Sequence, residues 1–190
     1  MKKLWNQTEI KSNNIIDKYC FSEGVISDNS LVIYDVYGSI SHAKMLEKIK
    51  IVNKSGFEKL KKCLIEIIYL QKNNQFEITQ EDEDVHTKIE NYLIEKLGDL
   101  GKKIHTCRSR NDQVLVDLRL YSKEKITDLE ISISQLINAF LKFAQKYEFI
   151  PMPGYTHMQK AMPSSVGMWA GSFAEQLFDQ LKILKTVYDL

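Results

Sequence analysis

Residues 129–147 read Leu-Glu-Ile-Ser-Ile-Ser-Gln-Leu-Ile-Asn-Ala-Phe-Leu-Lys-Phe-Ala-Gln-Lys-Tyr. Leu129, Ile133, Leu136, Phe140, Phe143 and Tyr147 recur at steps of four and three, the spacing of a narrow apolar seam along a helix. No glycine or proline interrupts the chain back to Gln113. One helix is therefore expected over 113–147, about 35 residues and about 50 Å at the standard rise. That length suits an extended bundle better than a small compact domain. A second helix is expected from about Pro163, with the proline in its first turn, carrying Trp169, Phe173, Leu177, Leu181, Leu184 and Tyr188 on one face. It meets no stop signal before Leu190, so the chain is expected to end inside an element. Two such seams without further partner helices predict self-association.

Upstream, the periodicity predicts shorter helices over 31–49, 57–70 and 83–97. Gly98, Gly101 and the polar run that follows predict a loop over 98–111. All three prolines lie between Pro151 and Pro163, which argues against a strand-and-turn fold. The expected class is all-α: a small helical N-terminal domain over 1–112, then the first long helices of a central bundle over 113–190.

The 190 residues carry a formal net charge of +1 and 44% hydrophobic residues, so no bulk field draws the chain to nucleic acid or an anionic membrane. No apolar run approaches the ~20 residues of a membrane span. The opening Met-Lys-Lys-Leu-Trp-Asn has no apolar stretch behind its lysines, so no secretory leader is expected. Cys20, Cys63 and Cys107 lack metal-type spacing and read as reduced thiols, giving a cytoplasmic expectation and no metal. Of 26 basic residues only Arg108, Arg110 and Arg119 are arginine, and two of them share one tripeptide. The planar guanidinium fork captures carboxylate or phosphate bidentately, which an ammonium cannot copy.

Three segments concentrate chemistry: Glu81-Asp-Glu-Asp-Val-His86, His105-Thr-Cys-Arg-Ser-Arg-Asn-Asp112 and Pro151-Met-Pro-Gly-Tyr-Thr-His-Met-Gln159. The first reads as an acidic helix start, where carboxylates meet the positive end of the dipole, in preference to a functional cluster. The second offers a hydroxyl, two guanidiniums and an amide at a helix entrance, either an anion site or a solvated capping loop. The third sets Thr156 and His157 after a Pro-Gly turn, where a histidine can be structural or can move a proton near neutral pH. Together they suggest a site for a substrate with several carboxylates, without naming the reaction.

Gly38-Ser-Ile-Ser-His-Ala43, Asp82-Glu-Asp-Val-His86, His105-Thr-Cys-Arg-Ser-Arg-Asn-Asp-Gln113 and Pro153-Gly-Tyr-Thr-His-Met-Gln159 resemble, in order and spacing, the argininosuccinate lyases of the fumarase/aspartase superfamily. The resemblance runs from about Leu4 to Leu190 and covers under half of a typical member. It implies cleavage of argininosuccinate to arginine and fumarate without a cofactor, in a homotetramer whose sites draw on three subunits. Ser109, Arg110 and Asn111 match the first substrate-binding segment. Thr156 and His157 match the second, with His157 the acid/base histidine and Gln159 beside it. His86 and His105 match positions lining the same cleft, with a supporting structural role as the equal alternative.

The chain departs from this pattern in places. Leu4-Trp5 continues as Asn-Gln-Thr-Glu instead of Gly-Gly-Arg-Phe, and Gly24 stands where a serine is common. Met162 replaces a usual glutamine. Cys107 replaces a usual glycine, adding a side chain and a preference against positive φ in the loop. The family's Gly-Ser-rich mobile loop, with the catalytic serine, is not among these residues. A non-catalytic helical oligomer on the same scaffold is therefore the alternative reading; a sibling lyase acting on adenylosuccinate, aspartate or malate fits the His-Thr-X-Arg-Ser-Arg-Asn-Asp pattern less well.

Overall fold

The computed structural model describes residues 27–79 and 82–190. Leu4, Trp5, Cys20, Gly24 and Glu81 lie outside them. The described residues are mostly helical, with one small sheet, and divide into two compact units, one ending at Tyr121 and the other Ser122–Leu190.

The first unit is built from α1 (Val32–Lys48), α2 (Lys54–Lys72), α3 (Val85–Leu97), a short α4 (Asp99–Lys102), a 3-10 turn (Lys103–His105) and the start of α5 (Arg110–Lys146). Val32, Val36, Leu46, Leu60, Leu64, Ile67, Ile89 and Leu93 form its fully buried centre. These are the positions that helical periodicity places on one face of each element. Side-chain caps set where the helices begin. Asn53 Oδ1 accepts from the Gly56 amide at 2.7 Å, and Asp84 Oδ1 accepts from the Thr87 amide at 2.6 Å. The acidic run before α3 thus serves the helix. Asp84 caps it, and the buried Asp82 pairs with Lys88 at 2.8 Å.

The stretch 98–111, expected as loop, is largely helical. Gly98 terminates α3 at φ 58, and α4 then turns back so that Gly101 lies against the Leu93 carbonyl and the Ile94 amide. That contact has no room for a β-carbon, so Gly101 is there for packing and not for a flexible link.

In the second unit, α5 continues to Lys146, a hairpin follows, and α6 (Val166–Asp189) runs back antiparallel to α5. Lys123 Nζ lies 4.6 Å from the Tyr188 ring centroid, Phe140 stacks on Phe173 at 5.5 Å, and Gly167 meets Ala144. The hairpin corrects two expectations. Strands β1 (Pro151–Thr156) and β2 (Gln159–Ser165) pair antiparallel, with Pro153 opposite Pro163. Both strands are edges, where a residue without N–H is tolerated. Helix α6 therefore starts at Val166, not near Pro163, and Ser165 caps it through the Met168 amide at 3.0 Å. The chain reverses at His157-Met158, both at positive φ (51° and 61°), not at Pro153-Gly154. Two left-handed residues in succession make the hairpin turn whose twist matches the strands.

The expected seam is only partly covered. Within this unit the helices close on Ile137, Ala170 and Ala174, while Leu129, Leu136, Phe143 and Trp169 stay exposed, Trp169 by 48%. Small residues let the backbones approach, and the aromatic edge is left outside. Gly167 marks the closest point: an added β-carbon would stand 2.5 Å from both the Ala144 carbonyl oxygen and Glu148 Cα. Helix propensity favours alanine there by ~1 kcal/mol. Gly167→Ala is nonetheless expected to destabilise this unit by about 1–3 kcal/mol in urea unfolding followed by circular dichroism. Unchanged or higher stability would show that the two backbones stand further apart.

Candidate active site

The segment between the 3-10 turn and α5 carries the candidate substrate-binding residues of the first unit. Cys107 takes φ 57, the conformation expected of the glycine it replaces, and it does so with a side chain. The carbonyl of Thr106 meets His42 Nε2 at 3.0 Å, which ties the segment to α1. Ser109 and Asp112 then form a reciprocal cap on α5. Ser109 Oγ accepts from the Asn111 amide at 3.2 Å, and Asp112 Oδ2 accepts from the Ser109 amide at 2.8 Å. Ser109 and Asn111 are exposed on the first turn of α5, where backbone dipoles favour anions.

The two arginines face different partners. Arg110 is enclosed by α3: Nε lies 3.3 Å from Asp84, Nη2 lies 3.5 Å from Glu90, and Nη2 donates to Thr87 Oγ1 at 3.0 Å. Its Nη1 donates to Gln113 Oε1 at 3.0 Å. Arg108 points the other way, and both of its Nη atoms donate to Ser39 Oγ on α1 at 3.1 Å. Burial lowers the Arg108 pKa against the pull of Asp35 and Asp117. Burial, then the Arg108 charge, holds His42 below the ordinary imidazole range. An open cleft of about 600 Å³ lies between α1 and the head of α5, lined among others by Ser41, His42, Cys107, Arg108, Asp112 and Asp117.

Behind Arg108 lies a polar centre that the sequence reading passed over. Asp35, His86 and Asp117 come from α1, α3 and α5, and none is more than 3% exposed. His86 Nδ1 is 3.4 Å from Asp35 Oδ1 and 3.7 Å from Asp117 Oδ2. Gln113 Nε2 donates to Asp35 Oδ1 at 3.3 Å. Burial, then the neighbouring Asp35, pushes the Asp117 carboxyl up to about 7. Burial also acts to raise Asp35, but His86, Arg108 and Gln113 outweigh it and hold Asp35 below its ordinary value. One signal was available: each aspartate interrupts an apolar stretch, Leu31–Val36 and Val114–Leu120.

The first unit brings Arg110, His86 and His105 to one small enclosed pocket, while Ser109 and Asn111 stand exposed outside it. His86 is buried and His105 half-buried, its Nδ1 enclosed by protein. Thr156, His157 and Gln159 belong to the second unit. Thr156 pairs with Gln159 to close the hairpin turn, and all three are exposed.

A family described as Lyase matches residues 9–189, and the chain belongs to it. Within that family it is similar to argininosuccinate lyases. It is 40% identical over its whole length to that of Thermotoga neapolitana, covering 47% of the relative. Over 98% of its length it is 38% identical to that of Bacteroides thetaiotaomicron, covering 42%. The chain therefore spans less than half the length of these curated relatives. Among solved structures it shares the fold of a fumarate lyase:delta crystallin from Brucella melitensis (TM-score 0.75, 18% identity, 92% of this chain and 45% of that one). It shares the fold also of an EDDS lyase in complex with formate (TM-score 0.72, 19% identity, 95% and 35%).

The left-handed Cys107 has a direct energetic consequence. A β-carbon in this region costs ~1–2 kcal/mol, offset in part by the greater freedom glycine has when unfolded. Cys107→Gly is expected to raise stability by about 0.5–1 kcal/mol in urea titration. A loss of stability would mean that the thiol contributes packing that outweighs the strain.

Proposed function

We propose that the chain carries the first part of an argininosuccinate lyase, which cleaves argininosuccinate to arginine and fumarate in arginine biosynthesis, in the cytoplasm and without a cofactor. What carries this reading is the 40% identity with the Thermotoga neapolitana enzyme over the chain's whole length. In this assignment residues 1–112 are a helical N-terminal domain and 113–190 the first long helices of a central bundle.

The reaction is a β-elimination. A base removes a proton from the succinyl carbon next to the one bearing nitrogen, and the adjacent carboxylate spreads the resulting charge. The carbon–nitrogen bond then breaks, and the guanidine leaves as its nitrogen is protonated. Binding the two carboxylates and stabilising the developing charge are the same task, performed by the same donors. Ser109 Oγ accepts from the Asn111 amide, so its own O–H remains to donate to a carboxylate. The Asn111 side chain stands beside it on the exposed first turn. Arg110 belongs to this segment, and its pairing with Asp84 and Glu90 fixes the turn on which the donors stand. Thr156 and Gln159 contribute polar groups from the hairpin, and His157 at its tip moves the proton. His86 and His105 support the loop from within.

The proposed quaternary form is a homo-oligomer, a tetramer in the fully assembled enzyme. Leu136, Ala139, Phe140, Phe143 and Trp169 line an apolar groove of about 340 Å³ on the second unit, a surface that another helix would cover. Sedimentation of the 190-residue chain is expected to show species heavier than one chain that depend on concentration. A monomer that persists at all concentrations would contradict this.

The activity is tested by grafting. Residues 1–190 replace the matching segment of the Thermotoga neapolitana enzyme, and fumarate release is followed by absorbance. The chimera is expected to turn over argininosuccinate, and His157→Asn to lower its kcat by ~10²–10⁴ without unfolding it. A folded chimera that makes no fumarate rejects the assignment; an unchanged kcat in the variant rejects the role given to His157.

A further inference from the structure

Two groups of the buried polar centre are short of partners. A guanidinium carries five N–H donors. Arg108 directs both Nη groups to one acceptor, Ser39 Oγ, and its buried Nε has no hydrogen-bond partner among the described residues. Asp117 has the converse shortage: both carboxyl oxygens are buried and without a hydrogen-bond partner among the described residues. An ionised carboxylate in that condition is costly, and a protonated one far less so. We propose that Arg108 is a two-position switch: it rests on Ser39 of α1 while Asp117 holds a proton, and turns onto the Asp117 carboxylate when that proton leaves.

The surroundings of Asp117 move its proton loss out of the acid range. Asp28 and Asp35 act on it from the α1 side, His86 from α3, and Arg108 from the segment before α5. Tyr37, His42, Cys107 and Asp112 line the same cleft. Burial, then the Asp35 charge, raises the Asp117 carboxyl, His86 and Arg108 draw it back, and the balance stands at about 7. Asp35 is held below its ordinary value and is ionised throughout that range. A second carboxylate beside it therefore needs a cation as soon as it ionises. His86 Nδ1 stands 3.7 Å from Asp117 Oδ2, longer than the ~2.7–2.9 Å of a charge-assisted hydrogen bond. His42 is held below the ordinary imidazole range, and Arg110 is taken by Asp84 and Glu90. Arg108 lines the same cleft as Asp117, is attracted by its charge, and has donors to spare.

The move reaches the exposed donors. Arg108 follows the left-handed Cys107 and precedes Ser109, whose hydroxyl and amide make the cap on α5. In the first position Arg108 ties this segment to α1 through Ser39, which also donates to Asp35 Oδ1 at 3.4 Å. In the second position that tie is gone, and the Thr106–His42 contact holds the segment to α1 without it. The turn bearing Ser109 and Asn111 is therefore firm below the Asp117 midpoint and looser above it. The use of that turn for carboxylates rests on the lyase reading above; the switch does not, and its readouts need no substrate.

Infrared spectra of the 190-residue chain, taken through neutral pH, test the proton directly. A protonated-carboxyl band is expected to disappear with a midpoint near neutrality, and Asp117→Asn should lack it. Ser39→Ala removes the acceptor of the first position, so it should lower that midpoint by about one unit, the worth of one hydrogen bond to a charged group. Hydrogen exchange resolved by peptide and corrected for the intrinsic effect of pH reads the turn. Exchange over 106–113 should quicken above the midpoint in the parent and show no such step in Asp117→Asn. The proposal is overturned if no carboxyl titrates near neutrality, if that titration survives Asp117→Asn, if Ser39→Ala leaves the midpoint unchanged or higher, or if the exchange step is missing from the parent. Should Asp117→Asn fail to fold, the direction of the Ser39→Ala shift decides the matter.

Discussion

The first unit depends on how a few charges are taken out of water at the meeting of three helices. Asp35, His86 and Asp117 are buried together, and Arg108 reaches the same place through Ser39. Buried charges persist only when opposed and oriented, so each of these groups constrains the others. Moving α1 would strand Asp35 and Ser39, and moving α5 would strand Asp117. Apolar packing makes this unit compact, and the polar centre makes the packing specific in register.

The same centre sets the loop at the head of α5. Arg108 faces inward to α1 and Arg110 faces α3, so two guanidiniums two residues apart clamp the segment from opposite sides. With both ends held, the chain between His105 and Arg110 must make a sharp turn, and Cys107 absorbs it at positive φ. The strain is local, and its result is that the Ser109 hydroxyl and the Asn111 amide group stand on an exposed, rigid first turn.

Helix positions were legible in the sequence wherever one face meets a core. The periodicity of Leu60, Leu64 and Ile67, or of Val85, Ile89 and Leu93, locates α2 and α3 to within a few residues. The hairpin was not legible, because its prolines also suit a helix start and its turn lacks the usual Asn-Gly. The left-handed His157 and Met158 take that place, and local propensity gives no hint of it. Motif resemblance brought out Ser109, Asn111 and His157. It could not show that Arg110 is enclosed by carboxylates, since those come from α3, about 20 residues upstream. Asp35 and Asp117 went unnoticed because a buried carboxylate is defined by neighbours distant in sequence.

The tip of the hairpin has a chemical side to it. Met158 is 97% exposed and sits next to His157. A thioether held in open water is accessible to oxidants, and its sulfoxide is polar and bulkier. Oxidation of this thioether would therefore place a polar, bulkier group one residue from the imidazole.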